Sequence, residues 1–221
     1  MAALGKFGLW LAAACVLGAA ACQPAAEAPQ SAPADSAAAL PAGCILQKEG
    51  DEALPIGGPI ALVDQSGTAV TQANFRDGPT LVYFGYTFCP DVCPLALQLE
   101  KAALDKLGSQ AQIIQPVLIT LDPARDTPEA LAAYVQSEGF PSGLTGLTGD
   151  AKQIEAAASA FRVSWKRDAD PGSAGAYTLS HTSFFYLMDE EWRLLGLFPS
   201  KSTPNEAAQC LKAALAEAGG D

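Results

Sequence analysis

The segment TLVYFGYTFCPDVCPLALQLEK, residues 80–101, constrains the fold of this 221-residue chain more than any other stretch. It opens with a continuous apolar run, Leu81 to Gly85, which is typical of a strand buried on both faces of a sheet. After Cys89 and Cys93, apolar residues recur at helical spacing until Gly108 stops the pattern. The two cysteines therefore lie between a buried strand and the first turn of a helix.

The rest of the chain continues this alternation of strands and helices. Apolar and capping patterns predict the following elements: strands at 60–63, 113–121, 182–188 and 192–197, a short strand at 161–165, and helices at 128–138, 150–160 and 204–218. The pattern by itself supports an α/β sandwich. Because the cysteines fall at a strand-to-helix junction, we predict a thioredoxin-like α/β fold, with a central mixed sheet flanked by helices.

The N-terminus has the features of a secretory signal. One positive charge, Lys6, precedes an apolar run from Leu9 to Ala21, which is shorter than the roughly 20 residues of a membrane span. The run ends at Cys22 and resembles the lipobox of bacterial lipoproteins, although Ala19 stands where leucine is usual. We predict a lipoprotein-type signal over residues 1–22 that ends at the lipidated Cys22, with an uncleaved anchor as the alternative.

Either form of the N-terminus places the remainder in the bacterial cell envelope, membrane-anchored, with the domain in the periplasm or otherwise outside the cytoplasmic membrane. Residues 23–43 are rich in Ala and Pro and contain no aromatic residue, so we predict a disordered tether with a mean reach of about 25 Å. Residues 44–221 form the predicted domain. The chain has 13 basic and 24 acidic residues without a basic patch, which argues against nucleic acid and anionic lipid as partners.

Two of the six cysteines carry the candidate chemistry. A helix N-terminus stabilises a thiolate, and the thiolate is both the nucleophile and the metal ligand. The spacing of Cys89 and Cys93, C-x-x-x-C, exceeds by one residue that of the C-x-x-C motif of ordinary thioredoxin-like oxidoreductases. Three interpretations are open at this point: a redox pair, a metal clamp and a plain stabilising disulfide.

The chain contains one histidine, His181, directly before the predicted strand at 182–188. By analogy with thioredoxin-like folds, the loop before that strand lies against the cysteine pair. Two thiolates and one imidazole suit copper, because sulfur holds Cu(I) and nitrogen adds affinity for Cu(II). A structural zinc site usually has four protein ligands; Asp122 could supply the fourth, although nothing in the sequence brings it there.

Four motifs together resemble the Sco family of copper-binding, thioredoxin-fold proteins: YFGYTFCPDVCP, TLDPARDTPEAL, GLTG and SHTSFFYL. The likeness extends from Pro55 to Leu215. It implies that Cys89, Cys93 and His181 bind copper, as Cu(I) and Cu(II). It further implies a role in delivering copper to the dicopper centre of cytochrome c oxidase, or in reducing the thiols of that centre. The partner would be the copper-bearing oxidase subunit or another periplasmic copper chaperone.

One position departs from the family pattern. Ser180 stands where the family commonly has an aspartate before the histidine, so orientation of the His181 ring by this neighbour is weakened. The other two cysteines of the domain, Cys44 and Cys210, are predicted to form a disulfide that pins the chain entrance to the last helix. The alternative is that one of them is a free accessory thiol.

Three functions follow, of which the first is preferred. The first is a membrane-tethered metallochaperone that passes copper on by ligand exchange. The second is a thiol–disulfide oxidoreductase that uses Cys89 and Cys93 as a redox pair and does not need His181. A third, a peroxidase-like thioredoxin relative, ranks low because no activating cation stands beside the thiols in the sequence.

Overall fold

The structure, a computed structural model, describes residues 39–48, 50, 52, 54–170, 172 and 177–219. All of them belong to the second of the two units into which the chain divides, Met1–Ala38 and Ala39–Asp221. The predicted signal, its lipidation site Cys22 and most of the predicted tether lie outside the described residues. No helix within the described part is both long enough and apolar enough to cross a membrane.

The strands of the described residues are β1 (Ile45–Leu46), β2 (Ala61–Asp64), β3 (Ala69–Thr71), β4 (Thr80–Gly85), β5 (Gln115–Thr120), β6 (Thr145–Thr148), β7 (Trp165–Ala169), β8 (Tyr177–His181), β9 (Phe184–Met188) and β10 (Leu194–Pro199). The α-helices are α1 (Val92–Leu107), α2 (Pro128–Tyr134), α3 (Ala151–Ala160) and α4 (Pro204–Ala218). Two short 3₁₀ segments, Gln72–Phe75 and Gly108–Ile113, join neighbouring elements.

Eight strands form one sheet in the order β1-β10-β9-β4-β5-β6-β2-β3. Strands β4, β5 and β6 run parallel, whereas β9 and the outer strands pair antiparallel. Strand β4 is central and every one of its residues is buried, which explains why its sequence is apolar without alternation. The predicted α/β fold with a mixed central sheet flanked by helices is confirmed.

Helix α1 carries the cysteine loop at its start and buries one face. Its buried residues recur at helical spacing: Cys93, Ala96, Leu97, Glu100, Ala103, Leu104 and Leu107. Helix α4 packs beside α1 and against β10. Glu100 is an exception on this apolar face, since both of its carboxyl oxygens are buried with no hydrogen-bond partner among the described residues. Burial raises the pKa of this carboxyl well above its ordinary value.

The histidine region differs from the prediction. His181 does not precede the strand at 182–188 in a loop; it is the last residue of β8, which pairs antiparallel with β7, and β9 begins only at Phe184. In this hairpin Trp165 lies opposite His181. The hairpin was missed because the β7 sequence, WKRDA, is polar and largely exposed, so it lacks the alternation that marks a strand.

Several further elements differ from the sequence-based predictions. Strands β1 and β3 were not predicted, and the short strand predicted at 161–165 is β7, which begins only at Trp165. Helix α2 ends at Tyr134 rather than near residue 138, and strand β6 at Thr145–Thr148 was not predicted. The TGLT sequence of β6 has two turn-favouring features, a glycine and short polar side chains, that conceal a buried strand.

Cys44 and Cys210 form a disulfide in the structure, with an S–S distance of 1.94 Å and a Cα–Cα distance of 5.7 Å. Cys44 lies directly before β1, and Cys210 lies on the buried face of α4. The bond therefore joins the start of the folded domain to its last helix across 166 positions of sequence.

Candidate metal and thiol site

The cysteine loop joins the end of β4 to the start of α1 and places two free thiols inside the domain. Cys93 is fully buried and Cys89 is 8% exposed. Gly85 makes room for them, because a Cβ at this position would lie 3.1 Å from Cys93 Sγ and 3.0 Å from the Tyr83 ring. The glycine that ends the central strand thus lets a sulfur approach the backbone closely.

The two thiols differ in their protonation. The pKa of Cys89 is lowered to about 5, chiefly because the Cys93 thiol donates a hydrogen bond to it; burial opposes this effect. The backbone N–H groups of Cys93 and Asp91 and the Tyr86 hydroxyl lower it further, and the Cys93 N–H lies 3.3 Å from Cys89 Sγ. The pKa of Cys93 is raised, because its proton is held by Cys89 and the group is buried. Cys89 is the thiolate of the pair and Cys93 the thiol.

The structure brings His181 to this pair across 88 positions of sequence, with Nε2 at 3.9 Å from Cys93 Sγ. Nδ1 lies 2.8 Å from the Thr182 carbonyl oxygen. Because a carbonyl can only accept, Nδ1 carries the proton, and the lone pair of Nε2 faces the Cys93 sulfur. Nε2 is therefore the ring nitrogen that is directed toward the thiols and available to a metal.

Ser180 has no part in this orientation. Its hydroxyl donates to the Asp168 carboxylate, while the backbone oxygen of Thr182 fixes the ring. The serine at position 180 therefore does not weaken the orientation of the His181 ring, which depends on Thr182 instead. A backbone acceptor leaves no mark on residue identity, so no sequence pattern could have found it.

The three predicted ligands do not yet converge. Among the residues that the structure describes, no group of three or more His, Cys, Asp or Glu side chains is arranged to hold a metal ion as it stands. Cys89 Sγ accepts the Cys93 N–H at the start of α1, and the close contact of His181 is with Cys93. The donor types, two sulfurs and an unprotonated imidazole nitrogen, nevertheless fit copper.

Asp122 does not complete a zinc set. One of its carboxylate oxygens accepts from the Tyr177 hydroxyl at 2.8 Å, and the other pairs with Arg125 Nε. Both oxygens are thus engaged, one with the strand that carries His181 and the other with Arg125.

Asp126 holds the cysteine loop in place through hydrogen bonds to Thr87. Its carboxylate accepts from Thr87 N at 3.0 Å, Thr87 Oγ1 at 2.6 Å and Thr120 Oγ1 at 2.5 Å, which ties the loop after β4 to the end of β5. Burial raises the pKa of Asp126, and these hydrogen bonds oppose the effect. This link between Asp126 and the cysteine loop was not predicted from the sequence. The parallel pairing of β4 and β5 was the available signal, because the ends of parallel strands lie side by side.

Tyr86 connects the same loop to β8. Its hydroxyl accepts from the Leu179 N–H at 3.1 Å and lies 3.4 Å from the Leu179 carbonyl, so its single proton is shared between that carbonyl and the Cys89 sulfur. The Tyr86 side chain thus contacts backbone groups of β8 that a neighbouring strand would otherwise pair with.

Three exposed apolar side chains, here called the apolar rim, lie next to the cysteines in the sequence. Phe88, Val92 and Leu95 are 49%, 54% and 62% exposed, and they flank Cys89 and Cys93 in sequence. Exposed apolar side chains grouped at one place indicate a contact surface.

Comparison with known proteins gives a consistent result. The family model SCO1/SenC matches residues 48–216. Protein sco1 of Schizosaccharomyces pombe is 35% identical over 176 residues, which cover 76% of this chain and 66% of that protein. The chain thus spans about two thirds of the length of this relative.

Solved structures agree in fold. The structure of Bradyrhizobium japonicum ScoI with copper bound has a TM-score of 0.62 and 41% identity, and the match covers 72% of this chain and 99% of that one. BsSco, a member of the Sco family of cytochrome c oxidase assembly proteins, has a TM-score of 0.60 and 20% identity, with 76% and 97% covered, and supports the fold alone.

Proposed function

This chain belongs to the SCO1/SenC family, and from that premise we propose that it binds copper through Cys89, Cys93 and His181 and serves in cytochrome c oxidase assembly. Copper is the cargo of the protein. One observation carries the proposal: the lone pair of His181 Nε2 faces the Cys93 sulfur at 3.9 Å, next to the Cys89 thiolate. The copper-bound ScoI of B. japonicum supports it.

The chemistry of the donors suits a carrier that exchanges its metal. Two sulfurs favour Cu(I), and the imidazole adds affinity for Cu(II). Cys89 already lacks its proton near neutral pH, so entry of copper need displace only the Cys93 proton. The apolar rim of Phe88, Val92 and Leu95 supports transfer at this face to a partner protein, for which we propose the copper-bearing oxidase subunit or another copper chaperone.

Thiol reduction is a second candidate, and the unequal protonation of the two thiols favours it. The Cys89 thiolate would attack a partner disulfide, forming a mixed disulfide and releasing one partner thiolate. Cys93 would then pass its proton to the partner thiolate already released and attack Cys89 Sγ, which closes the Cys89–Cys93 disulfide and releases the second partner thiolate. The partner gains the two electrons that this protein loses, and His181 takes no part.

For location, we propose a bacterial cell-envelope protein anchored through a lipid on Cys22, with the domain outside the cytoplasmic membrane. The apolar run that ends at Cys22 supports this. Mass spectrometry of the mature protein tests it, since lipidation removes residues 1–21 and adds acyl chains to Cys22.

A His181→Ala variant separates the two functions. We expect Cu(II) affinity to fall by more than about 100-fold and the sulfur-to-copper charge-transfer absorption to disappear, because a direct ligand is lost. Oxidation of Cys89 and Cys93 to a disulfide should persist. Ser180→Ala is the matched control, since that hydroxyl donates to Asp168, and it should bind copper like the wild type.

The copper proposal is wrong if His181→Ala binds copper as tightly as the wild type and supports oxidase assembly unchanged. If the variant loses copper yet still supports assembly and reduces partner disulfides, thiol reduction is the function.

A further inference from the structure

Arg125 joins the two parts of the site, and we propose that it is the positioning residue that sets the spacing between His181 and the cysteine pair. One of the two measurements that test this proposal, Cu(II) affinity, rests on the proposed copper function. The other, amide hydrogen exchange, needs no metal.

The His181 hairpin is joined to the cysteine loop through side-chain contacts. Strands β7 and β8 form a two-stranded sheet of their own, separate from the eight-stranded sheet that carries the cysteine loop. Side chains therefore hold β8 against the loop. Tyr86 does so at Leu179, and Arg125 does so at Tyr177.

Arg125 reaches both parts at once. Its guanidinium carbon lies 3.8 Å from the centroid of the Tyr177 ring on β8 and 4.7 Å from that of Phe88, the residue before Cys89. Nη1 donates to the Tyr177 carbonyl at 3.3 Å, and Nε pairs with Asp122. Asp122 in turn accepts from the Tyr177 hydroxyl at 2.8 Å. Each of the three side chains, Arg125, Asp122 and Tyr177, therefore contacts the other two.

The geometry favours arginine over any other cation. A planar guanidinium stacks on aromatic rings while its edge donates hydrogen bonds, whereas an ammonium is a compact, strongly hydrated charge. The Arg125 side chain is only 14% exposed, so water does not replace these contacts.

The position of Tyr177 connects this contact to the metal site. Tyr177 and His181 are the first and last residues of β8, four apart, and thus lie on one face of the strand. A shift of Tyr177 relative to Phe88 therefore moves the imidazole relative to the thiols. The 3.9 Å separation of His181 Nε2 and Cys93 Sγ therefore depends on the contact of Arg125 with Tyr177 and Phe88.

Arg167 offers a matched control on the same ring. Its guanidinium carbon lies 4.0 Å from the Tyr177 centroid, but Arg167 belongs to β7 and so contacts the ring from within the hairpin. It makes the same kind of stacking contact without joining the hairpin to the loop. An Arg167→Lys change should therefore leave the distance between His181 and the cysteine pair unchanged.

The first measurement compares Cu(II) affinity in Arg125→Lys and Arg167→Lys. Lysine keeps a cation beside Asp122, so the buried carboxylate retains a partner, but it removes the stacking and the bond to Tyr177. We expect about 10- to 100-fold weaker Cu(II) binding for Arg125→Lys, the usual effect of losing a group that orients a ligand. Arg167→Lys should stay within about twofold of the wild type.

The second measurement is amide hydrogen exchange without copper. The Leu179 N–H, bonded to Tyr86, reports whether β8 stays against the loop. Its exchange should accelerate in Arg125→Lys and in Tyr177→Leu, which removes the ring while Arg125 keeps Asp122. It should not change in Arg167→Lys.

The two measurements separate the possible failures. Equal exchange of the Leu179 amide in Arg125→Lys, Arg167→Lys and wild type overturns the positioning role. So does Cu(II) binding that is unaffected by Arg125→Lys in a protein whose His181→Ala variant has lost it. If wild type and His181→Ala bind copper alike, the proposed function fails, and hydrogen exchange alone decides the role of Arg125.

Discussion

The domain contains two cysteine pairs whose surroundings differ. Cys44 and Cys210 are 166 positions apart and bridged, and the polar contact that the described residues give the buried Cys210 sulfur is with the Leu197 carbonyl, at 3.8 Å. Cys89 and Cys93 are four positions apart and free, and Cys89 receives hydrogen bonds from a thiol, backbone N–H groups and a hydroxyl. A carbonyl gives a thiolate no stabilisation, whereas donors at a helix start do.

The comparison shows that neighbouring donors, more than burial, distinguish a reactive thiol from a structural one. Three of the four cysteines are buried and Cys44 is half-buried, and Cys93 and Cys210 are almost equally inaccessible. What differs is the set of groups that can stabilise a negative sulfur. The variants below test this distinction, from the largest expected effect to the smallest.

The largest effect is expected on the protonation of Cys89. The wild-type thiolate should form with a midpoint near pH 5, since the pKa of Cys89 is lowered to about 5. Cys93→Ala removes the hydrogen bond that contributes most, so the midpoint should rise by several pH units toward about 8.5, the value of a free cysteine. Cys93→Ser keeps a donor and should remain low. Thiolate ultraviolet absorbance during a pH titration measures both, and equal midpoints in the two variants would contradict the assignment.

The second effect concerns the bridged pair. Replacing both Cys44 and Cys210 by serine should lower the free energy of unfolding by about 2–4 kcal/mol, because the unfolded chain loses a long closed loop. Denaturant titration measures the change, with reductant as the control: it should destabilise the wild type but not the double variant. Copper binding should be unchanged, and a loss of copper affinity would show that the two pairs are not independent.

The smallest effect is expected at Glu100, seven residues beyond Cys93 on the buried face of α1. Unlike Cys89 it is buried without any donor, so Glu100→Met should stabilise the domain by about 1–2 kcal/mol at neutral pH. The pKa of Glu100 is raised in the folded state, so the contribution of this carboxyl to wild-type stability is fully present below its unfolded pKa of about 4.3 and is lost as the pH rises toward the folded pKa.

The advantage of Glu100→Met should therefore grow between pH 4 and neutral pH. Denaturant titrations across this range test it, with Gln98→Met, an exposed position on α1, as the matched control. An advantage that does not vary with pH would mean that the carboxyl does not titrate in this way.

The sequence predicted best what depends on local pattern. The apolar run of β4, the helical spacing after Cys93 and the capping residues Thr127 and Thr203 located the main elements, because these signals act between near neighbours. The cysteine pair was located for the same reason. Analogy with thioredoxin-like folds, and then the resemblance to a family, added His181, which no local rule could have placed beside the thiols.

What the sequence did not predict depends on contacts across the fold. The carbonyl that orients His181, the link from Asp126 to Thr87 and the stacking of Arg125 on Tyr177 join residues through backbone atoms or long-range packing. Strand β8 was missed because its partner β7 is polar, and side chains fix this hairpin in place of a sheet edge. Each of these contacts needs the assembled topology before it becomes visible.

The Cys44–Cys210 bond also has a mechanical consequence. Strand β1, which begins next to Cys44, has two residues and pairs with a single neighbour, β10. Tension applied to the preceding segment would peel such a short strand from the sheet. The covalent bond instead carries that force into α4, which packs beside α1, so a pull at this end of the domain can be borne without exposing the core.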